Sequence, residues 1–361
     1  MALLISPKEV DQEAVKSASG MEIFTLPAVG LQNRNYFSFA RSFVKSLFAA
    51  RRLFKSRPPQ AVLAMGGFTS APPVWVGKDF GAKTFLHESN TIPGRANRFL
   101  ARFVDEAFVG FPAASTRLRA RKVTPTGTPV RPQFQPGNPG PCRAGFRLDP
   151  DRQTILVMGG SQGAGGINDM VLSALPLLGN RIATWQWLHL TGPGDVEKVA
   201  QAYATRGFKA LVKPFIAEMD MALGAATIAV SRAGASSLAE IAAVRLPALL
   251  VPYPAAADNH QLCNARAFEA TGAARLLEQK DATPEKVAAL LCELVEGSSA
   301  RMKIQTALAQ WHAPRAAEQI AEIMLAAIAR HQPEAAGRSH ASSCSCGGAH
   351  SSNRQAASSG T

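Results

Sequence analysis

Short apolar runs alternate with helical patterns along residues 154–277, and this alternation predicts a parallel sheet with helices packed on it. Ser237-x-x-Glu240 has the form of a capping box at a helix start. Thr283, followed by proline, suits another helix start, and Gly272 suits a helix end. The predicted strands are TILVM (154–158), WLHL (187–190), ALVKPF (210–215), TIAV (227–230), ALLVPY (248–253) and ARLL (274–277).

The first half of the chain repeats this pattern less completely and predicts a second, similar domain. Residues 125–150 are rich in proline and glycine, which predicts a linker without regular secondary structure. We expect a first domain over 1–130, a second over 131–313, a helix over 314–330 that returns to the first domain, and a disordered polar tail over 331–361. The apolar runs of the first half are ALLI (2–5), EIFTLPAV (22–29), AVLAM (61–65), KTFLH (83–87) and EAFVGF (106–111).

Charge and cysteine content narrow the classes of partner and compartment. There are 39 Lys and Arg residues against 26 acidic ones, a net charge of +13 that favours an anionic partner. The five cysteines lack the regular framework of a secreted disulfide domain, so we expect a reducing, cytoplasmic compartment. No apolar run approaches the roughly 18 residues of a membrane-spanning helix, and we expect any membrane contact to be peripheral.

The segment TILVMGGSQGAGGIND predicts a strand, a glycine-rich loop and a helix. Gly159, Gly160 and Gly163 let the backbone approach a ligand, and the free N–H groups of the following helix suit a pyrophosphate. The loop lacks the Lys-Ser/Thr of a P-loop and the G-x-G-x-x-G of dinucleotide-binding proteins. A tight turn without a ligand is the alternative.

A second loop of this kind lies in AVSRAGASSLAE, between a predicted strand and a predicted helix. As plain structure, Ser237 caps the helix and Glu240 completes the capping box. As a binding site, Ser236 and Ser237 donate to phosphate oxygens, and Glu240 accepts both hydroxyl groups of a ribose. The pattern alone leaves both interpretations open.

A third polar cluster follows a predicted strand in VPYPAAADNHQLCNARAF. Asp258 suits an N-cap, while Gln261 and Asn264 lie one helical turn apart and offer amides to sugar hydroxyl groups. Ligands of open parallel sheets bind at the carboxyl ends of the strands. Three such clusters at successive strand ends therefore predict one binding site.

Polar residues also follow two predicted strands of the first half. Gly66 and Gly67 come after AVLAM and are candidate phosphate-loop glycines. KTFLHESN ends in a group of titratable and polar side chains that includes His87, Glu88 and Asn90. His87 and Glu88 are candidates for catalytic proton transfer, and a packed or capping histidine is the alternative.

Taken in order, these motifs resemble the MurG family of bacterial N-acetylglucosaminyltransferases in peptidoglycan synthesis. The resemblance implies an α/β fold of the GT-B type, with two Rossmann-like domains whose parallel sheets face a cleft. It implies inverting transfer of N-acetylglucosamine from UDP-N-acetylglucosamine to undecaprenyl-pyrophosphoryl-MurNAc-pentapeptide (lipid I to lipid II), with no cofactor and no obligatory metal ion. The motifs that carry it are MGGFTSAPP, HESN, GTPVRP, MGGSQGAGGIN, SRAGASSLAEIA and DNHQLCNA.

The resemblance also assigns donor contacts to residues of this sequence. It implies that Arg131 and Ser161 lie near the phosphates and Ile216 beside uracil. It likewise implies that Glu240 holds the ribose and Gln261 the sugar. The D-x-D motif of the linker is interpreted as a turn, which agrees with metal-independent transfer. The implied substrate-binding set is Asn90, Arg131, Ser161, Ile216, Ala235, Ser236, Ser237, Leu238, Ala239, Glu240 and Gln261.

Residues 34–58 carry seven basic residues and no acidic one. Apolar residues recur there at near-helical spacing, which predicts a basic amphipathic helix. We expect it to rest on anionic lipids at the cytoplasmic face of the inner membrane, and a helix packed on its own sheet is the alternative. Nucleic acid is disfavoured because no nucleic-acid motif accompanies the charge. The expected membrane-facing residues are Arg41, Phe43, Lys45, Leu47, Arg51, Arg52, Phe54 and Lys55.

The sequence departs from the family at its beginning. The family starts with a strand, a glycine-rich loop containing a histidine, and a helix, none of which precedes ALLI. Because that strand is central in the family's sheet, we expect unpaired backbone groups in the first domain. Two explanations stay open: a start codon assigned too late, or a shortened chain with little activity. In a short form, His87 or Glu88 is the nearest candidate general base.

Two other functions stay open beside the transferase. A UDP-sugar epimerase, or a transferase acting on another lipid, keeps the donor site and changes the chemistry. A membrane-associated module that binds a UDP-sugar without turnover is the non-enzymatic alternative.

Overall fold

The computed structural model describes residues 1–8, 12, 15, 20–28, 36–160 and 165–341, with side chains as far as residue 331.

The first domain contains parallel strands in two separate sheets. They are β1 (Ala2–Ile5), β2 (Glu22–Thr25), β3 (Ala61–Ala64), β4 (Lys83–Glu88), β5 (Glu106–Val109) and β6 (Val123–Pro125). β1 pairs with β2, whereas β3, β4, β5 and β6 pair in that order. Within the described residues, β1 and β3 each have one edge that no strand pairs with. Within the described residues, the strands of the first domain therefore form two sheets and not one.

The second domain contains one continuous parallel sheet. Its strands are β7 (Gln153–Met158), β8 (Trp185–Leu190), β9 (Lys209–Lys213), β10 (Ile228–Ser231), β11 (Ala248–Leu250) and β12 (Arg275–Leu276). They lie in the order β12-β11-β10-β7-β8-β9. From β7 the chain adds β8 and β9 on one side of the sheet, and then returns to add β10, β11 and β12 on the other side. The place between β7 and β10 is the switch point of the sheet, and open parallel sheets bind their ligands there, at the carboxyl ends of the strands.

Helices cover both domains. In chain order they are α1 (Tyr36–Ser56), α2 (Ala71–Asp79), α3 (Arg95–Leu100), α4 (Pro139–Gly145), α5 (Gly165–Ala174), α6 (Val196–Thr205), α7 (Met219–Ala225), α8 (Ala235–Val244), α9 (His260–Ala270), α10 (Pro284–Glu296), α11 (Ser298–Leu308) and α12 (Ala316–Ala341). Thr283 accepts a hydrogen bond from the backbone N–H of Lys286 at the start of α10, and Gly272 follows α9 with φ of 75°. Both predicted helix ends are confirmed. Among the described helices, none is long and apolar enough to cross a membrane.

The linker contains regular structure that its composition did not predict. The helix α4 starts after Asn138, whose side chain accepts from the N–H of Gly140 at 2.9 Å. Arg143 on this helix donates from Nε to the carbonyl oxygen of Ala225 at 2.9 Å and so attaches the linker to the second domain. The prediction of a linker without regular elements was wrong for these residues.

The last helix packs on the first domain. Ile320 on α12 joins Phe85 and Phe108, whose stacked rings lie 5.7 Å apart on β4 and β5. The helix continues to Ala341, so the expectation of a disordered tail over 331–361 was wrong for residues 331–341. Residues 342–361 lie outside the described part of the chain.

Helix α1 presents a different face from the one predicted for membrane contact. Phe54 is buried in a cluster that Leu47 also contacts, and the ring of Phe43 lies edge-on to Trp75 at 5.5 Å. These three apolar side chains pack inward, so they cannot face a membrane, and for them the packed alternative is correct. The predicted basic residues do lie on the exposed side; they are Arg41, Lys45, Arg51, Arg52 and Lys55.

Candidate functional site

The glycine-rich loop lies at the carboxyl end of the central strand β7. Gly159 is buried, and Gly160 has φ of 71°, a conformation that a side chain disfavours. Helix α5 begins at Gly165 and directs its free N–H groups towards this edge of the sheet. Ser161 and Gly163 lie outside the described residues.

The start of α8 lies opposite this loop, at the carboxyl end of β10. Ala235 and Leu238 are buried in the core of the second domain, whereas Ser236 is exposed and Ser237, Ala239 and Glu240 are partly exposed.

The predicted capping box does not form at this helix start. Gly234 is the N-cap and no side chain caps the helix. Ser236, Ser237 and Glu240 make no side-chain hydrogen bond within the described residues. Their polar atoms are therefore available to a ligand at the switch point of the sheet.

A positive charge lies close to the Glu240 carboxyl. Burial raises the pKa of Glu240, and the guanidinium of Arg131 opposes this shift. Arg131 is exposed, its guanidinium lies 5.0 Å from the ring centroid of Phe134, and within the described residues it has no ion-pair partner. The site therefore combines hydroxyl donors, a carboxylate and an unpaired guanidinium, a set suited to a phosphorylated ribose.

Ile216 follows β9 and packs in the core of the second domain. The neighbouring Phe215 is 71% exposed, whereas Ile216 is 7% exposed. A nucleobase at this position would therefore contact mainly the backbone of Ile216 and the surface around it.

Gln261 lies in the first turn of α9. Its Oε1 accepts a hydrogen bond from the backbone N–H of Tyr253 at 2.9 Å. This contact fixes the carboxamide and leaves the Nε2 group to donate to a ligand.

Asn264 joins the two domains instead of offering its amide to a sugar. Its Oδ1 accepts from the N–H and the hydroxyl of Thr91, at 2.9 and 2.8 Å. Its Nδ2 donates to Oδ1 of Asn90 and to the carbonyl oxygen of Ala233, each at 3.1 Å. Asn264 is fully buried, so its amide is not accessible to a sugar.

Asp258 adds a second contact between the domains. It adopts φ of 51° and pairs with Arg98 at 2.6 Å and with Arg95 at 3.4 Å. Asp258 does not cap a helix, so its prediction as an N-cap was wrong. The segment after β11 therefore positions Asn90 from the opposite domain.

Glu88 organises the loop that follows β4. Its Oε1 accepts from the N–H and the side chain of Asn90, and its Oε2 accepts from Gly94 N–H and from Nδ2 of Asn97. The carboxylate is 2% exposed and every oxygen is engaged. These hydrogen bonds give Glu88 a structural role in the loop, and its catalytic role stays a prediction.

His87 is likewise a packed residue. It is 1% exposed, with Nε2 3.1 Å from the carbonyl oxygen of Gly127 and Nδ1 3.3 Å from the hydroxyl of Ser89. Burial lowers the pKa of its imidazole. Both ring nitrogens therefore have a partner, and the ring packs against Gly127, where the chain leaves the first domain. The catalytic role of His87 stays a prediction.

Gly66 and Gly67 form the loop after β3 and have φ of 103° and 80°. A Cβ on Gly66 would lie 3.3 Å from Nδ2 of Asn97, the residue that also donates to Glu88. The loops after β3 and β4 are therefore packed together, on the first-domain side of the cleft.

Comparison with known proteins places these features in a family. The chain matches the family models of the glycosyltransferase family 28 N-terminal domain over residues 2–109 and C-terminal domain over residues 154–320. It resembles the crystal structure of Acinetobacter baumannii MurG with a TM-score of 0.67 and 25% identity, over 89% of each chain.

Relatives of similar length share its sequence. A UDP-N-acetylglucosamine–N-acetylmuramyl-(pentapeptide) pyrophosphoryl-undecaprenol N-acetylglucosamine transferase of Anaeromyxobacter sp. (strain Fw109-5) is 35% identical over 327 residues, 90% of this chain and 84% of the relative. A protein of the same name from Syntrophus aciditrophicus (strain SB) is 36% identical over 289 residues, 79% of each chain. The chain belongs to the MurG family.

This MurG-family chain shares its GT-B architecture with UDP-sugar enzymes of other activity. The UDP-GlcNAc 2-epimerase of Neisseria meningitidis bound to UDP-GlcNAc has a TM-score of 0.62 at 14% identity, over 89% of this chain and 90% of that one. At this identity the likeness shows the fold alone.

Two contributors to the MurG-family site were missed or misread in the sequence. Arg232 lies inside the SRAGASSLAE motif and is buried beneath the site. The sequence shows a basic residue next to a glycine-containing loop, but it does not show which groups this residue contacts. Asn97 donates to Glu88 nine residues before it in the chain, and a lone asparagine in a helix carries no such signal. Only the path of the loop brings these groups together.

Proposed function

We propose that the protein transfers N-acetylglucosamine from UDP-N-acetylglucosamine to undecaprenyl-pyrophosphoryl-MurNAc-pentapeptide, with inversion at the anomeric carbon. The observation that carries the proposal is the start of α8. There, Ser236, Ser237 and Glu240 make no side-chain hydrogen bond within the described residues and lie at the switch point of the sheet, with Arg131 near Glu240. The relatives that share the chain's motifs are named for this transfer.

The second domain holds the donor in this proposal. The free N–H groups at the starts of α5 and α8 and the guanidinium of Arg131 stabilise the diphosphate. Glu240 accepts the ribose hydroxyl groups, and Nε2 of Gln261 donates to the sugar.

During transfer, negative charge develops on the departing UDP. The acceptor hydroxyl attacks the anomeric carbon from the face opposite to the diphosphate, and its proton passes to solvent water as the carbon–oxygen bond to UDP breaks. Groups that are already oriented towards the departing diphosphate stabilise the developing negative charge at no further cost in reorganisation.

Transfer of radiolabelled sugar to the lipid-linked acceptor tests the proposal. Glu240→Ala is expected to weaken binding of UDP-N-acetylglucosamine by about tenfold or more, because it removes a charged acceptor of two hydrogen bonds. Glu197→Ala is the matched control, since Glu197 is an exposed glutamate in the first turn of α6. Unchanged binding by the Glu240 variant would contradict the assigned site.

The same assay separates the other functions. Conversion of UDP-N-acetylglucosamine without any acceptor would favour an epimerase. Donor binding with no transfer to the lipid-linked acceptor would favour a binding module.

We also propose that the exposed face of α1 rests on anionic lipids at the cytoplasmic face of the inner membrane. Phe37 and Phe48 are 81% and 70% exposed, and Val44 lies between them on the same side of the helix. The exposed basic residues Arg41 and Lys45 flank this apolar row. Apolar insertion together with basic contacts is how peripheral helices bind headgroups.

Binding to vesicles tests this surface. The protein is expected to co-sediment with phosphatidylglycerol vesicles more than with phosphatidylcholine vesicles, and less as salt increases. Phe37→Ser with Phe48→Ser is expected to reduce binding severalfold, whereas Met302→Ser, at an exposed apolar residue of the second domain, is the control. Equal loss in both variants would contradict the assignment to α1.

A further inference from the structure

Arg232 is a buried guanidinium among the donor-binding loops. It lies just after β10 and is 6% exposed. Its Nη1 donates to the carbonyl oxygens of Val251 and Pro252, each at 3.1 Å, and its Nη2 donates to Oε1 of Gln279 at 3.0 Å. The guanidinium carbon lies 5.4 Å from the ring centroid of Tyr253. One side chain thus connects the end of β10 with the segment after β11.

The charge of Arg232 is not neutralised by a carboxylate. Within the described residues it has no ion-pair partner, and its Nε has no hydrogen-bond partner. Burial lowers its pKa accordingly. Burial of this charge costs free energy of desolvation. An apolar side chain of similar size would stabilise the fold equally well. What Arg232 contributes is therefore the position of the groups that it binds.

Those groups lead directly to Gln261. Residues 251–253 are fixed by the two carbonyl contacts and by the guanidinium over Tyr253. The backbone N–H of Tyr253 in turn donates to Oε1 of Gln261 at 2.9 Å. Only with Oε1 held in this way does Nε2 of Gln261 keep one direction in the cleft.

The third partner of Arg232 extends the connection to the glycine-rich loop. A Cβ on Gly166, at the start of α5, would lie 2.5 Å from the side chain of Gln279. Gln279 therefore packs directly on the backbone of α5. The guanidinium lies between the loop after β11 and the first turn of α5.

We propose that Arg232 is a positioning residue for recognition of the donor's sugar, acting through residues 251–253 and the carboxamide of Gln261. This inference rests on the proposed function, because it takes Gln261 as the group that binds the sugar. It assigns to Arg232 the discrimination between UDP-N-acetylglucosamine and UDP, and it leaves the affinity for UDP itself to the starts of α5 and α8.

Equilibrium binding of UDP and of UDP-N-acetylglucosamine to the full chain tests the proposal. The ratio of the two dissociation constants, Kd for UDP over Kd for UDP-N-acetylglucosamine, measures the contribution of the sugar. Arg232→Met is expected to lower this ratio about fivefold to tenfold, the range of one or two lost hydrogen bonds, with little change in Kd for UDP. Arg232→Lys keeps a donor near the same carbonyl oxygens and is expected to restore part of the ratio.

Arg143→Met is the matched control. Arg143 is also 6% exposed and donates to Ala225, Pro150 and Thr227, but it lies at the opposite, amino-terminal edge of the sheet. It is expected to lower stability and to leave the ratio unchanged. A double variant, Arg232→Met with Gln261→Ala, is expected to lower the ratio no further than Gln261→Ala alone.

Three outcomes would overturn the inference. An equal loss of affinity for UDP and UDP-N-acetylglucosamine in Arg232→Met would mean that the charge acts on the diphosphate. The same fall in Arg143→Met would mean a general loss of stability. Additive effects with Gln261→Ala would mean that the two residues act separately. If Arg232→Met does not fold, Arg232→Lys gives the same tests. Failure of the proposed function is distinct, because it would appear as absence of sugar transfer by the unaltered protein, whereas the ratio of dissociation constants depends on binding alone.

Discussion

The two domains both contain parallel strands with helices packed on them, but within the described residues only the second has one continuous sheet. The second sheet runs without a break through β12-β11-β10-β7-β8-β9, with β7 at its centre. The first domain has the corresponding outer strands, but its sheet is divided between β1 and β3 within the described residues. The apolar core follows the sheets: one continuous cluster fills the second domain, whereas three small clusters lie in the first domain and against α12.

The difference determines how each half positions its polar groups. In the second domain, the start of α8 presents Ser236, Ser237 and Glu240 without side-chain hydrogen bonds, and a single buried side chain, Arg232, fixes the segment that holds Gln261. In the first domain, the loops after β3 and β4 depend on a buried polar network around Glu88 and Asn97.

The largest expected effect is the loss of free energy of unfolding when an isoleucine is replaced by alanine in the second-domain sheet, compared with the same substitution in the first domain. Ile155→Ala in β7 removes a fully buried side chain from the continuous core and is expected to lower the free energy of unfolding by about 3 kcal/mol. Ile5→Ala, in the half-buried β1, is expected to cost about 1 kcal/mol or less. Urea unfolding followed by circular dichroism measures both, and equal losses would contradict the contrast between the sheets.

Acid is expected to weaken the second domain through His189. This imidazole is fully buried, with Nδ1 2.9 Å from the hydroxyl of Tyr203 and Nε2 2.9 Å from Oδ1 of Asn168. Burial lowers its pKa from 6.5 to about 3. Between pH 6.5 and about pH 3, His189 binds a proton in the unfolded chain but not in the folded chain. The free energy of unfolding therefore has its full value above pH 6.5 and falls as the pH decreases from 6.5 towards 3.

The expected slope is about 1.4 kcal/mol per pH unit within that window. His189→Gln removes the titrating group and is expected to flatten the slope, even if it lowers stability at neutral pH. Unfolding measured between pH 6.5 and pH 4.5 on both forms checks this. Identical slopes would assign the acid sensitivity to other groups.

A smaller effect is expected at the junction of the domains. Asn264→Ala removes the hydrogen bonds to Thr91, Asn90 and Ala233, so the domains are expected to separate more often and the linker to be cleaved severalfold faster by a protease. Asn168→Ala is the matched control, because Asn168 is equally buried but lies inside the second domain. Equal acceleration in both variants would argue against a junction role.

The strands of the second domain could be predicted well from the sequence. Strands such as β7 and β8 are buried on both faces, so unbroken apolar runs mark them, and the glycine with positive φ at 160 was recognisable from its context. The short edge strand β6 was missed because it has three residues, one of them proline.

The rest depends on tertiary structure that no local pattern carries. Asn264 and Asn90 are bonded across 174 positions of sequence. Helix α1 has phenylalanines on two opposite sides, so the pattern did not show which side packs inward. His87 and Glu88 have the composition of a catalytic pair, and only their burial and saturated hydrogen bonds reveal a structural role.

Hydrogen–deuterium exchange of the full chain, with and without UDP-N-acetylglucosamine, tests most directly whether the second domain holds the donor. The account predicts slower exchange at residues 159–160, 235–240 and 251–261, with exchange in β1 and β2 unchanged. Protection confined to the first domain, or no protection at the start of α8, would contradict it.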